Sequence, residues 1–244
     1  MKTTILYIRR LLAIILLLFY SYIGWSQTST NYTFTNTTNG SLTDISSIAT
    51  ELLPANTDGV NYGALSEVTD IGFTFYFMST AYTQFTATED GAIRFGNSVS
   101  GLEGPPLWTA NEPRLVIFGS DNKVGSNGSV RYAVIGDAPN RVLVVEWNNM
   151  IISYPNNSNP EAGDSRWQIR LHEGSGVIEY VYGYMDYVHN QGALSGIGFT
   201  SANTNNKLMY KTTSLTDNSV GTSAGGYNIL SSQVTTTGII SGLS

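Results

Sequence analysis

The stretch RWQIRLHEGSGVIEYVY, residues 166–182, predicts a β-hairpin. Glycines within its central EGSG supply the positive φ that a tight turn needs. A symmetric turn there places Arg170 opposite Glu179 on one face. A shift of one residue would turn every side chain of one strand to the other face, so the segregation of apolar and charged side chains supports this register. The opposite face then carries three apolar pairs, Leu171–Ile178, Ile169–Tyr180 and Trp167–Tyr182.

Short alternating runs of the same kind recur along the chain after residue 27, separated by clusters of Gly, Asn, Asp and Pro. The middle of the run 141–148 is apolar on both faces, which predicts a central strand whose Trp147 enters the core between two sheets. The predicted fold class is an all-β, antiparallel two-sheet β-sandwich, jelly-roll-like. Ten strands are predicted, at Tyr32–Thr37, Ile71–Phe77, Tyr82–Thr88, Ala92–Phe95, Arg114–Phe118, Ser129–Ile135, Arg141–Asn148, Arg166–His172, Val177–Tyr182 and Leu194–Thr200.

The N-terminus has the features of a secretory signal peptide. A basic stretch ends at Arg10, residues 11–22 are apolar, and small residues precede a cleavage point before Gln27. A transmembrane anchor needs about 20 apolar residues, which is longer than this segment. We therefore expect a secreted or cell-surface protein that does not insert into a membrane after cleavage. The predicted parts are a signal peptide at 1–26, a sandwich domain at 27–213, and a terminal strand or linker to a missing domain at 214–244.

Composition excludes several classes of protein. The 244 residues include no Cys, which excludes a disulfide scaffold, a cysteine nucleophile, a thiolate zinc site and an iron–sulfur cluster. After residue 26 the chain has nine basic and eighteen acidic residues, a net charge of −9. A nucleic-acid partner is not expected, because such binding needs Lys and Arg to displace phosphate counterions. A secreted chain without cysteine fits a bacterial export route.

Catalytic patterns are absent from the sequence. His172 and His189 are the two histidines, and no Gly-x-Ser-x-Gly elbow accompanies them. Glycoside hydrolysis needs two carboxyl groups roughly 5–10 Å apart in one cleft, whereas the acidic residues here are spread singly. The chain is predicted not to be an enzyme, and a jelly-roll glycoside hydrolase is the weaker alternative.

Two groups of residues are candidates for binding. Asp121 and Asn122 offer oxygen ligands for Ca²⁺, although turn-forming residues that bond their own backbone explain them more simply. No cofactor is expected otherwise. Trp108, Tyr184 and Tyr187 would form a platform for sugar rings if they are exposed. The alternative is that these aromatic side chains cover the ends of the sheets.

The order of several segments resembles a known family of modules. The segments include DIGFTFYF at 70–77, DGAIRFG at 90–96, NRVLVVEW at 140–147 and GIGF at 196–199. Over residues 31–203 the chain resembles the N-terminal β-sandwich module of secreted multidomain bacterial proteins exported by the type IX system. It is more distantly similar to nidogen-like extracellular modules. The resemblance implies an extracellular module with an adhesive or scaffold-like role, often followed by fibronectin-type repeats and a sorting domain.

These observations predict a secreted, non-catalytic binding or adhesion module whose partner is an extracellular glycan or protein surface. A carbohydrate-binding module that uses exposed aromatic residues is the alternative. Solvent exposure separates the two, because a buried Trp108 and a buried Tyr187 would leave no platform for a sugar ring.

Overall fold

The computed structural model describes residues 32–37, 40–59, 64–97, 112–152, 162–185 and 193–200, and the strands at 208–216, 219–222 and 237–241. This part of the chain contains strands and turns and no helix. The prediction of an all-β, antiparallel two-sheet sandwich is confirmed. The predicted signal peptide at 1–26 lies outside the described residues.

Fourteen strands are present in the described part of the chain. In chain order they are β1 (Thr33–Thr37), β2 (Thr50–Leu53), β3 (Thr69–Phe77), β4 (Thr80–Thr88), β5 (Ala92–Phe95), β6 (Arg114–Gly119), β7 (Lys123–Ile135), β8 (Val142–Ile151), β9 (Ser165–His172), β10 (Val177–Tyr182), β11 (Ala193–Thr200), β12 (Leu208–Thr216), β13 (Ser219–Thr222) and β14 (Thr237–Ser241).

The strands form two sheets of seven. The first sheet has the order β1-β14-β10-β9-β8-β7-β2, and the second has the order β13-β12-β11-β6-β5-β4-β3. Neighbouring strands are antiparallel in both sheets. The central position predicted for the run 141–148 is confirmed, because β8 lies between β7 and β9.

The hairpin of β9 and β10 has the register that its side chains predict. Arg170 lies opposite Glu179, and Arg170 Nη1 is 3.5 Å from a carboxylate oxygen of Glu179. The three apolar pairs lie on the opposite face, and all six of those side chains are buried. The pairs are Leu171–Ile178, Ile169–Tyr180 and Trp167–Tyr182.

Apolar side chains of both sheets meet in one core between them. The rings of Trp147 and Trp167 stack there, with centroids 6.3 Å apart. The Nε1–H of Trp147 donates to the carbonyl oxygen of Thr88, 2.7 Å away in the other sheet. The hydroxyl of Tyr180 donates to the carbonyl oxygen of Gly198 at 2.6 Å, again across the core. These bonds satisfy the polar ends of large buried side chains, which would otherwise destabilise the core.

Three strands are present that the sequence pattern does not predict: β2, β12 and β13. A terminal strand or a linker is predicted for 214–244, and β14 lies in this segment, where it pairs with β1 on one side and with β10 on the other. Its sequence, TGIIS, has no alternation that would distinguish an inserted strand from a loop. Its place in the sheet follows from pairing over long distances along the chain.

Candidate functional site

Residues 40–49 cross the outer face of the first sheet, and we call this segment the strap. Ile45 of the strap is fully buried against the outer side of β7 and β8. The backbone of Thr43 forms two hydrogen bonds with the side-chain amide of Gln168 on β9. Its N–H donates to Oε1 at 3.0 Å, and its carbonyl accepts from Nε2 at 2.7 Å. The strap is therefore attached to the sheet by an apolar contact and a paired amide contact.

A cleft of about 410 Å³ lies between the strap and the outer face of β7, β8 and β9. Ligand pockets typically have volumes of about 300–1,000 Å³, so the cleft is large enough for a small ligand or one unit of a polymer. Its walls carry both signs of charge, neutral polar groups and one aliphatic side chain. The lining residues are Leu42, Thr43, Asp44, Ser46, Arg131, Glu146, Asn148 and Arg166.

Both acidic groups of the cleft are held by the protein itself. The Glu146 carboxylate accepts from Arg131 Nε at 2.6 Å and from Gln168 Nε2 at 2.9 Å. At the strap, hydrogen bonds from the side chain and the backbone of Ser46 hold the pKa of Asp44 below its usual value. Because these oxygens already accept hydrogen bonds, the carboxylates shape the cleft and keep its formal charge balanced.

Two other lining residues retain capacity for hydrogen bonding. Arg166 donates through Nε and Nη2 to Asn149 Oδ1, at 3.1 and 3.0 Å. Asn148 is 8% exposed, and its Oδ1 is a buried atom without a hydrogen-bond partner. Leaving a buried acceptor unpaired costs about 1–3 kcal/mol. The residues that line the cleft thus include one with an unsatisfied amide oxygen and one with a guanidinium group.

Of the three predicted aromatic ligand-binding residues, Tyr184 is the one that the described residues include. It is 42% exposed, and its carbonyl accepts the backbone N–H of Arg166 at 2.8 Å. Its neighbour Gly183 lies against Leu42, so closely that a β-carbon at position 183 would clash with the Leu42 side chain. Tyr184 therefore directly follows a residue that packs against Leu42, and it is not itself part of the cleft lining. Trp108 and Tyr187 lie outside the described residues.

The turn between β4 and β5 contains an acidic pair that the sequence does not reveal. Glu89 and Asp90 are both buried, although their Asp-Gly sequence is typical of an exposed turn. The Glu89 carboxylate accepts the N–H groups of Gly59 and Ala64, at 2.6 and 2.7 Å. Burial raises the pKa of Glu89. Burial, followed by the charge of Glu89, raises the pKa of Asp90 well above its usual value.

The predicted calcium ligands lie beside this acidic pair. Asn122 is buried, its backbone N–H donates to Asp90 Oδ1 at 2.9 Å, and its Nδ2 donates to the Phe118 carbonyl at 3.1 Å. Asp121 is exposed, and partial desolvation together with the charge of Asp58 raises its pKa. Within the described ranges, no three His, Cys, Asp or Glu residues are grouped so that they could hold a metal ion. Calcium binding at Asp121 and Asn122 stays a prediction.

The second sheet carries a buried ion-pair group on its outer face. Arg94 and Arg114 are paired across β5 and β6, and both donate to Glu112 Oε2. Burial alone would raise the pKa of Glu112, but the hydrogen bonds and charges of the two arginines outweigh burial and lower it. In the sequence these arginines alternate with core residues, and this pattern predicts that the arginines lie on a solvent-exposed face of the sheet. Their burial depends on contacts that the local pattern does not contain.

The fold defines a two-sheet antiparallel β-sandwich, and a comparison with protein families identifies the family to which it belongs. Residues 31–238 match the NIDO-related family, so the chain belongs to that family. The predicted nidogen-like relationship is thereby confirmed. The family favours an extracellular module. No curated protein and no solved structure matches the chain. Within the described residues, no helix is long and apolar enough to cross a membrane.

Proposed function

We propose that the chain is a secreted, non-catalytic module that binds or adheres to an extracellular ligand. The cleft under the strap is the observation that carries this proposal, because it is a concave site lined mainly by polar and charged residues and built on a seven-stranded sheet. Membership in the NIDO-related family supports the extracellular location. The carboxylates of the cleft support binding rather than catalysis, since Glu146 is engaged by Arg131 and Gln168.

The test uses the purified protein on arrays of glycans and of extracellular proteins, with and without EDTA. We expect binding to one class of ligand, and we expect that ligand to be recovered chemically unchanged after incubation. Cleavage of the ligand would show an enzyme and overturn the proposal, as would the absence of binding on both arrays. Loss of binding with EDTA would assign a role to a metal ion such as Ca²⁺. N-terminal sequencing of the exported protein should start at Gln27.

Carbohydrate binding through exposed aromatic residues is a second candidate, favoured by the exposed ring of Tyr184. Replacing Tyr184 with Ala should then weaken binding to glycans. Tyr76 is a matched control, because it is 58% exposed and is located on β3 at the far edge of the other sheet. Equal effects of Tyr184→Ala and Tyr76→Ala would exclude a specific role for Tyr184.

A further inference from the structure

The formal charges of the cleft cancel. Arg131 and Arg166 contribute two positive charges, Asp44 and Glu146 contribute two negative charges, and the other four lining residues are uncharged. An ion that leaves water needs an opposite charge to offset the loss of its hydration. With no net charge, the cleft offers no such compensation to a strongly anionic or cationic ligand. Its electrostatics match a neutral, polar ligand.

The cleft contains both hydrogen-bond donors and a hydrogen-bond acceptor that are not paired within the described part of the protein. Among the described residues, Nη1 and Nη2 of Arg131 and Nη1 of Arg166 donate to no protein acceptor. Asn148 Oδ1 is an acceptor without a donor. This oxygen is covered, and the soft torsion about the Cβ–Cγ bond of Asn148 allows the amide to turn toward a ligand. A hydroxyl group is both donor and acceptor, so it complements the guanidinium groups and the amide alike.

The geometry points to a neutral saccharide unit as the ligand of this cleft, an inference that rests on the proposed binding function. A saccharide presents several hydroxyl groups to the arginines and to Asn148. Its apolar C–H face matches Leu42, the one aliphatic side chain of the lining. The exposed Tyr184, which follows the Gly183 that packs against Leu42, offers a further surface for a second sugar unit.

Two serines of the strap provide a matched pair of variants. Ser46 and Ser47 are both exposed, but Ser46 lines the cleft and Ser47 is not part of the lining. Ser46→Tyr places a large side chain at the cleft, and Ser47→Tyr makes the same change beside it. We expect Ser46→Tyr to weaken binding to the best neutral glycan of the array by at least about tenfold, and Ser47→Tyr to leave it within about twofold, measured by titration calorimetry. Equal affinities of the two variants would overturn the cleft as the saccharide site.

A second pair of variants removes a charge without adding bulk. Arg166→Gln takes a donor from the cleft, and Arg141→Gln removes the same charge from a residue outside the lining. The expected loss is about tenfold to a hundredfold for Arg166→Gln, since a hydrogen bond from a charged donor is removed. Circular dichroism establishes that both variants are folded. An effect of Arg141→Gln as large as that of Arg166→Gln would contradict recognition in the cleft.

The charge of the ligand is tested with neutral glycans and with glycans that carry carboxylate or sulfate groups. Binding of a neutral saccharide should change by less than about twofold between 50 and 500 mM salt, because screening acts on interactions between net charges. Preference for acidic glycans with a steep dependence on salt would overturn the neutral assignment. Binding to extracellular proteins and to no glycan would overturn the saccharide class and leave the proposed binding function intact.

Discussion

The burial of Ile45 should determine whether the strap stays on the sheet. Ile45→Ala removes three carbon atoms from a fully buried side chain. At about 0.8 kcal/mol for each buried carbon, the lost transfer free energy is about 2.4 kcal/mol. An unrelaxed cavity would raise the loss toward about 4 kcal/mol. Because the strap is a surface segment that can move, we expect a loss of about 2–3 kcal/mol.

Urea unfolding followed by tryptophan fluorescence measures the loss in unfolding free energy, and hydrogen exchange of the Thr43 amide measures attachment of the strap. That amide donates to Gln168, so it should lose protection when the strap detaches. Ile48→Ala is the matched control, because Ile48 belongs to the same strap and is 57% exposed. Its effect should stay within about 0.5 kcal/mol. Equal effects of Ile45→Ala and Ile48→Ala on stability and on exchange would refute an anchoring role for Ile45.

Three further predictions concern stability and are tested by urea unfolding. Asp90→Asn should stabilise the protein by about 0.5–2 kcal/mol at pH 7. The raised pKa of Asp90 means that wild-type stability falls as pH rises from the usual aspartate pKa through the raised value. The gain in unfolding free energy from Asp90→Asn should therefore shrink toward pH 4. A gain that does not depend on pH would contradict a raised pKa of Asp90. Gly91 and Gly96 both have positive φ, but a β-carbon at 91 would also clash with a backbone carbonyl of β6, whereas the space at 96 is open. Backbone strain should lower the unfolding free energy of Gly96→Ala by approximately 1–3 kcal/mol. Gly91→Ala should lower it by more, and equal decreases for the two variants would disprove the clash. A double-mutant cycle on Arg170 and Glu179 should give a coupling of about 0.2–1 kcal/mol, and zero coupling would show that the pair adds no stability.

The sequence was sufficient to predict the hairpin of β9 and β10, because its information is local. Alternating side chains and a glycine-containing turn fix a register that the structure reproduces at Leu171, Ile169 and Trp167. The same reasoning predicted the burial of Trp147 in the core. The alternation of apolar and polar side chains specifies the register of a strand strongly wherever one face of that strand is buried.

The strap, the cleft and the buried acidic pair were not predicted, because they depend on contacts between residues that lie far apart along the chain. The strap has four apolar residues, Leu42, Ile45, Ile48 and Ala49, of which Ile45 alone is deeply buried, and the sheet residues that cover it lie about 90 or more positions away along the chain. Glu89 and Asp90 read as an exposed turn, yet contacts with Gly59, Ala64 and Asn122 bury them. Neither a short segment with a few apolar residues nor an Asp-Gly turn carries a sign of the distant segments that cover it.

The most direct test of the account is a crystal structure of the purified protein with a bound neutral oligosaccharide. The account predicts density for a sugar ring between the strap and β7–β9, with hydroxyl groups within hydrogen-bond distance of Arg131 or Arg166. A sugar bound elsewhere on the sandwich, with the cleft filled by water alone, would contradict it.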